Sequence, residues 1–77
     1  MKEYIYIYGE DCSKCHMVKP YVEKRATENG IELHEYKFTE LDQEQFQITS
    51  IPTLIIKEWD EQQVLQYEEI ISLITNN

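Results

Sequence analysis

The chain alternates between strand-like and helix-like patterns of hydrophobic positions, and its first half predicts a strand, a helix and a second strand. Residues 4–8 (YIYIY) are apolar and rich in strand formers, which favours a buried central strand. Hydrophobic residues at four-residue spacing predict a helix over residues 13–28, which the Asn-Gly pair at residues 29–30 would end. Residues 31–38 are strand-like, but their hydrophobic positions fall on both parities. This irregularity leaves open a bulge or a strand that is buried on both faces.

The second half of the chain predicts a short helix, two strands and a last helix. Residues 39–48 predict the short helix, which begins with a threonine cap. The apolar residues 51–56 predict a third strand, and residues 64–65 form the apolar centre of a fourth. The connection at residues 58–61 lacks the glycine that a tight hairpin prefers. Residues 67–74 carry the hydrophobic stripe of a C-terminal helix.

This order of elements, β-α-β-α-β-β-α, predicts an α/β fold in which three helices flank a four-stranded mixed sheet. The first β-α-β unit should be a right-handed parallel crossover. With 77 residues the chain has room for one small core, so we expect residues 1–77 to form a single domain.

Charge and composition exclude several classes of function. The chain contains 15 Asp and Glu against 7 Lys and Arg, a formal net charge of -8. An acidic surface repels phosphate backbones and anionic lipids, so we expect no nucleic-acid partner and no membrane association. The chain has no apolar run near the roughly 20 residues that span a bilayer, and its start does not resemble a signal peptide. We therefore expect a cytoplasmic protein, in which two cysteines indicate redox chemistry or metal binding.

The expected chemistry lies at Cys12 and Cys15, where the first helix begins. Two cysteines at this spacing are within disulfide reach when the first one lies at the helix N-terminus. Free N–H groups and the positive helix end favour a thiolate there, which lowers the pKa of Cys12. Lys14 would add positive charge, whereas Glu10 and Asp11 would oppose the thiolate. We expect the helix to dominate, because these carboxylates can turn towards solvent.

A strand followed by C-x-x-C and a helix resembles the redox motif of the thioredoxin family. Residues 12–20 (CSKCHMVKP) resemble its pattern C-x-x-C-x-x-x-x-P, and residues 51–56 (IPTLII) resemble its I-P-T segment with the apolar strand behind it. The resemblance implies a cis-proline at Pro52 that faces the cysteine pair. It also implies that the substrate peptide is bound by Ile51, Pro52 and Thr53, with backbone groups offered by Ile51.

The chain departs from the family pattern in ways that bear on its substrate. Asp11 stands where thioredoxins usually have Trp, and Ser13-Lys14 replaces their Gly-Pro. The element order matches glutaredoxins and small glutaredoxin-like thioredoxins, but the glutaredoxin C-P-Y-C signature is missing. Residues 58–66 also lack the glycines of the segment that usually holds glutathione. These departures favour reduction of protein disulfides, with a glutathione-dependent glutaredoxin as the alternative.

The implied mechanism is two successive thiol–disulfide exchanges. The Cys12 thiolate attacks a substrate disulfide, and Cys15 then attacks Cys12 and releases the reduced substrate. This electron transport requires no cofactor and no metal. The expected partners are protein disulfide substrates and an electron source, either a reductase or glutathione, and we expect a monomer.

Other functions use some of the same residues. The string C-x-x-C-H is also a haem attachment motif, although haem attachment requires export. A zinc or iron–sulfur site would draw on the soft ligands of the chain, which are Cys12, Cys15, His16 and His34. A thioredoxin-fold binding module, with its disulfide as a regulatory switch, is a further alternative.

Trp59 is predicted to be a half-buried residue of a turn.

Overall fold

The computed structural model describes residues 2–38 and 50–75. Within these ranges the elements in chain order are β1 (Lys2–Tyr8), α1 (Ser13–Glu28), β2 (Glu32–Lys37), β3 (Thr53–Glu58), β4 (Glu61–Leu65) and α2 (Tyr67–Thr75). The limits of α1 are the predicted ones. The short helix predicted over residues 39–48 lies outside the described residues.

The four strands form one mixed sheet in the order β2-β1-β3-β4. β1 pairs in parallel with β2 and antiparallel with β3, and β3 pairs antiparallel with β4. β1 is central because its apolar run is buried from Tyr4 to Ile7. The predictions of a four-stranded mixed sheet and of a parallel first β-α-β unit are therefore confirmed.

β2 is an edge strand, and this position explains its irregular hydrophobic pattern. Among the described strands it pairs with β1 alone, and the register continues without interruption from Glu3↔Glu32 to Tyr8↔Lys37. None of its residues is fully buried. Both explanations offered above, a bulge and burial on both faces, are therefore wrong. An edge strand tolerates polar side chains on both faces, because it lacks a neighbour on one side.

Each face of the sheet carries its own apolar cluster, because successive side chains of a strand point to opposite faces. The cluster against the two helices consists of Tyr4, Tyr6, Val18, Val22, Ala26, Leu54, Leu65 and Ile70. The cluster on the other face consists of Ile5, Ile7 and Ile55, with Phe38 and Ile51 packed against it. The sheet thus fixes the end of β1, which leads to the two cysteines, and the start of β3, which follows Ile51 and Pro52.

A residue with positive φ follows α1, and another lies in the turn between β3 and β4. α1 ends at Glu28 with Asn29 as its C-cap, and Gly30 follows in the left-handed region (φ 65°), as the Asn-Gly pair predicts. β3 and β4 are joined by a two-residue turn, since Glu58 pairs with Glu61. Trp59 occupies the left-handed position of this turn (φ 57°) and is 85% exposed. The prediction that Trp59 is half-buried is wrong, because a side chain at the tip of so short a turn projects beyond the sheet.

Neither of the two helices described above is long and apolar enough to cross a membrane.

Candidate active site

Cys12 and Cys15 form a disulfide bond at the start of α1. Their Cα atoms lie 5.2 Å apart. Cys12 is the N-cap residue, with an extended backbone (φ -103°, ψ 106°), and Cys15 lies in the first turn. The prediction that the pair lies at a helix N-terminus within disulfide reach is confirmed.

The two sulfur atoms have different environments. The Cys15 side chain is 1% exposed, whereas Cys12 is only partly buried. The backbone N–H of Cys15 donates a hydrogen bond to the Cys12 Sγ atom at 3.1 Å. The N–H of His16 donates to the Cys12 carbonyl at 3.2 Å. An incoming group can therefore approach Cys12, and a helix N–H is already directed at its sulfur.

The segment that precedes β3 lies next to the end of β1. The register places Thr53 opposite Ile7, and Cys12 lies five residues beyond Ile7. The peptide bond between Ile51 and Pro52 is cis. The sheet thus places the start of β3 at the same end of the strands as the segment that leads from β1 to the disulfide.

Gly9 lies where the segment between β1 and α1 comes close to the segment that precedes β3. A Cβ atom at Gly9 would lie 2.6 Å from Cδ1 of Ile51 and 3.6 Å from Cβ of Cys12. The first distance is shorter than real Cβ contacts, so Gly9 is required for the present position of the Ile51 side chain. In the sequence, Gly9 directly follows the apolar run of residues 4–8, a position that is typical of a turn. A glycine between a buried strand and a reactive cysteine also signals a close approach of two chain segments.

The three predicted substrate-binding residues differ in exposure. Pro52 and Thr53 are fully buried, and Ile51 is partly exposed. The Thr53 hydroxyl donates a hydrogen bond to the Ser50 carbonyl at 2.6 Å, and the Ser50 hydroxyl donates to the side-chain oxygen of Gln66. The Thr53 side chain therefore fixes the segment that carries Ile51. Binding of substrate by these three residues stays a prediction, with Ile51 as the accessible side chain.

Charged side chains around the disulfide are engaged by neighbours. The Lys37 ammonium donates a hydrogen bond to the Glu10 carboxylate at 2.6 Å; this bond and the charge of Lys37 hold the pKa of Glu10 below its ordinary value. His16 Nε2 lies 2.7 Å from the Glu10 carbonyl oxygen, to which it donates as the protonated nitrogen. Lys14 extends over the Tyr67 ring of α2, with its Nζ atom 4.8 Å from the ring centre. An effect of Lys14 on the pKa of Cys12 stays a prediction.

Tyr6, a residue of the predicted buried strand, contacts the backbone of Cys15. Its side chain is fully buried, and its hydroxyl donates a hydrogen bond to the Cys15 carbonyl at 2.5 Å. No sequence pattern predicts the contact between Tyr6 and Cys15, because the two residues belong to different secondary-structure elements. A tyrosine among the aliphatic core residues of a central strand is the one available signal, since a buried hydroxyl usually finds a partner.

The structure does not gather the candidate metal ligands around the cysteines. Over residues 2–38 and 50–75, the side chains close enough to share a metal ion are those of Glu3, Glu32 and His34, a group without a cysteine. His34 Nε2 lies 3.5 Å from the Glu32 carboxylate and 3.7 Å from that of Glu3. The four-ligand set of two cysteines and two histidines is therefore not assembled.

Comparison with known proteins agrees with this geometry. A sequence profile described as thioredoxin domain matches residues 3–74. No curated protein sequence matches the chain.

Solved thioredoxins share the fold. Oxidised mitochondrial thioredoxin 3 from Saccharomyces cerevisiae superposes with a TM-score of 0.82 at 17% identity, covering 96% of this chain and 74% of the yeast chain. Thioredoxin 1 from Thermosipho africanus gives 0.82 at 19% identity, covering 95% of this chain and 86% of its own. Fasciola hepatica thioredoxin gives 0.77 at 16% identity, covering 96% and 78%.

Proposed function

The chain belongs to the thioredoxin domain family and is a dithiol–disulfide oxidoreductase, and we propose that it reduces protein disulfides through Cys12 and Cys15. The observation that carries this proposal is the difference between the two cysteines: Cys12 is partly exposed and its sulfur accepts a helix N–H, whereas Cys15 is buried. The glutathione-dependent alternative is not favoured, since the matching profile and the structural neighbours named above are thioredoxins.

In the first step the reduced Cys12 attacks the substrate. The N–H of Cys15 and the positive end of α1 favour the thiolate at this position. The thiolate forms a bond to one sulfur of the substrate disulfide, and the other sulfur leaves as a thiolate that takes a proton from water. The product is a mixed disulfide between Cys12 and the substrate.

In the second step Cys15 releases the substrate. The Cys15 thiol gives its proton to water and attacks the Cys12 Sγ atom, and the substrate sulfur leaves as a thiolate. The substrate has gained two electrons, and the cysteine pair has lost two electrons in forming the disulfide of the present structure. Burial of Cys15 restricts it to this intramolecular reaction.

The substrate is proposed to lie along the segment that precedes β3. Ile51 is its accessible side chain, and Gly9 lets Ile51 come close to Cys12. Proteins of this family generally act on protein disulfides together with a reductase. We propose a reductase as the electron donor of this chain, and a monomer that works in the cytoplasm, where thiols are kept reduced.

A trapping experiment tests the function and the two roles. Reduced Cys15→Ser is mixed with a disulfide-bonded protein such as insulin, and we expect a stable mixed disulfide through Cys12, identified by mass spectrometry. The matched Cys12→Ser variant should form no adduct and should lose insulin reduction completely. An adduct through Cys15 in Cys12→Ser would reverse the roles. Wild-type protein that reduces no disulfide, but binds a partner even as Cys12→Ser, would indicate a binding module instead.

A further inference from the structure

A continuous set of hydrogen bonds connects the core to the redox pair. The Tyr6 hydroxyl donates to the Cys15 carbonyl at 2.5 Å, and the next N–H along the chain, that of His16, donates to the Cys12 carbonyl at 3.2 Å. The Cys15 carbonyl and the His16 N–H belong to the same peptide group. The Tyr6 hydroxyl therefore restrains the peptide that holds both cysteine backbones.

The Tyr6 side chain is itself held firmly. It lies on the central strand with an exposed fraction of 0%, and its ring stacks on that of Tyr8, with 6.0 Å between centroids and 13° between planes. Burial raises the pKa of its hydroxyl, and the negative charges of Glu35 and Glu23 raise it further. The hydroxyl thus stays protonated, and remains a donor, where cysteine thiols titrate.

The restraint matters most when the disulfide is open. In the oxidised protein the covalent bond already fixes Cys15 against Cys12. In the mixed disulfide that bond is absent, and the first turn of α1, at a helix end, depends on the remaining contacts. A hydrogen bond from the sheet to the Cys15 carbonyl limits the conformations that the attacking thiol must otherwise search.

We propose that Tyr6 is a positioning residue of the redox pair, whose hydroxyl keeps the Cys15 thiol at Cys12 during the second exchange. This inference rests on the proposed function, because it concerns the step in which Cys15 displaces a thiol from Cys12. With glutathione the step is an attack of the Cys15 thiolate on the Cys12–glutathione disulfide. It forms the Cys12–Cys15 bond and releases one glutathione thiolate, with no net loss of electrons.

The test compares Tyr6→Phe with Tyr4→Phe, two variants that each lose one hydroxyl from the same strand and the same buried cluster. Tyr4 makes no hydrogen bond through its hydroxyl in the described part of the chain, whereas Tyr6 bonds to Cys15. Each reduced protein is equilibrated with oxidised and reduced glutathione, and the reduced, mixed-disulfide and intramolecular-disulfide forms are quantified after acid quenching. The effective concentration of Cys15 is the ratio of intramolecular to mixed disulfide, multiplied by the concentration of reduced glutathione.

We expect Tyr6→Phe to lower this effective concentration about fivefold, the size that one net hydrogen bond supports, and to slow release from the mixed disulfide to a similar extent. Tyr4→Phe should leave both quantities at the wild-type value. The rate at which Cys12 attacks oxidised glutathione should be equal in all three proteins. These quantities are measured without a protein substrate, so they do not depend on whether the chain reduces proteins.

Three results would overturn the positioning role of Tyr6, and a fourth would overturn the proposed function alone. Equal values for Tyr6→Phe and wild type would show that the bond does not position Cys15. Equal losses in both variants would indicate a general effect of a missing core hydroxyl. A Tyr6→Phe protein that circular dichroism shows to be unfolded would assign the hydroxyl to core stability. A failure of wild type to reduce insulin, with the Tyr6→Phe effect intact, would overturn the proposed function and leave the positioning role standing.

Discussion

The two ends of the central strands β1 and β3 differ sharply. At one end, Ile7 and Thr53 pair and are fully buried, and the segments beyond them meet at the disulfide. At the other end Lys2 pairs with Glu58, and their side chains form an ion pair of 3.5 Å with both groups about half exposed. Trp59 lies just beyond, projecting into solvent. We call these the redox end and the hairpin end.

The difference shows that one pair of strands can hold a closely packed redox site at one end and an exposed turn, where substitutions have little effect, at the other. The redox end is covered by the start of α1 and by the segment before β3, and its two paired residues, Ile7 and Thr53, are fully buried. The hairpin end has an exposed ion pair, and such pairs contribute little to stability because water screens them. Substitutions of buried residues at the redox end should therefore change stability or catalysis strongly, and substitutions of exposed residues at the hairpin end weakly.

The largest expected effect is loss of stability at the redox end. Ile7→Ala should lower the free energy of unfolding by about 2–5 kcal/mol, because it leaves a cavity in a fully buried cluster. Val64→Ala, which truncates a side chain that is 45% exposed, should lower it by less than about 1 kcal/mol. Urea denaturation measures both values. Similar losses in the two variants would remove the contrast between covered and exposed parts of the sheet.

The next effect concerns the place where Gly9 meets Ile51. Gly9→Ala should push the Ile51 side chain away, since the added Cβ would come within 2.6 Å of its Cδ1 atom. We expect kcat/KM for insulin reduction to fall about tenfold, equivalent to about 1.4 kcal/mol. Stability should change little, because the atom that moves is the far end of a flexible side chain. A matched Gly30→Ala variant should keep full activity, since Gly30 lies at the far end of α1. An unchanged kcat/KM for Gly9→Ala would argue against substrate contact by Ile51.

A smaller effect of opposite sign is expected at the hairpin end. Trp59→Asn should raise the free energy of unfolding by about 0.5–1 kcal/mol, because asparagine tolerates the left-handed backbone that Trp59 now adopts. Little packing is lost, as the tryptophan is 85% exposed. Insulin reduction should be unchanged. A destabilised Trp59→Asn protein would mean that the side chain stabilises the hairpin despite its exposure.

The smallest effect is a titration at the redox end. The pKa of Glu10 in the folded protein lies below its ordinary value, so its bond to Lys37 stabilises the fold above the unfolded-state pKa and is lost as the pH falls through the folded-state pKa. Lys37→Met should return the Glu10 pKa towards its ordinary value, as followed by carboxyl carbon NMR. Lys2→Met, which removes the ion pair at the hairpin end, should leave the Glu10 pKa unchanged. A shift in Lys2→Met as well would indicate a general charge effect.

Sequence patterns predicted those parts of the molecule that local chemistry decides. The limits of α1 follow from the four-residue spacing and the Asn-Gly pair, and the N-cap position of Cys12 follows from the strand–turn–helix order. The contacts of Tyr6 and Gly9 were not predicted, because each joins residues from different elements. The exposure of Trp59 depends on turn length, which hydrophobicity does not encode.

The edge position of β2 bears on the behaviour of the protein at high concentration. An unpaired strand edge offers N–H and C=O groups to another chain and can start aggregation. β2 places ionisable side chains along nearly its whole length, among them Glu32, Glu35 and Lys37. In a parallel, in-register pairing with a second copy of this edge, Glu32 and Glu35 would each face a like charge, which disfavours the pairing. The charged pattern of β2 thus opposes edge-to-edge pairing of two chains in that orientation.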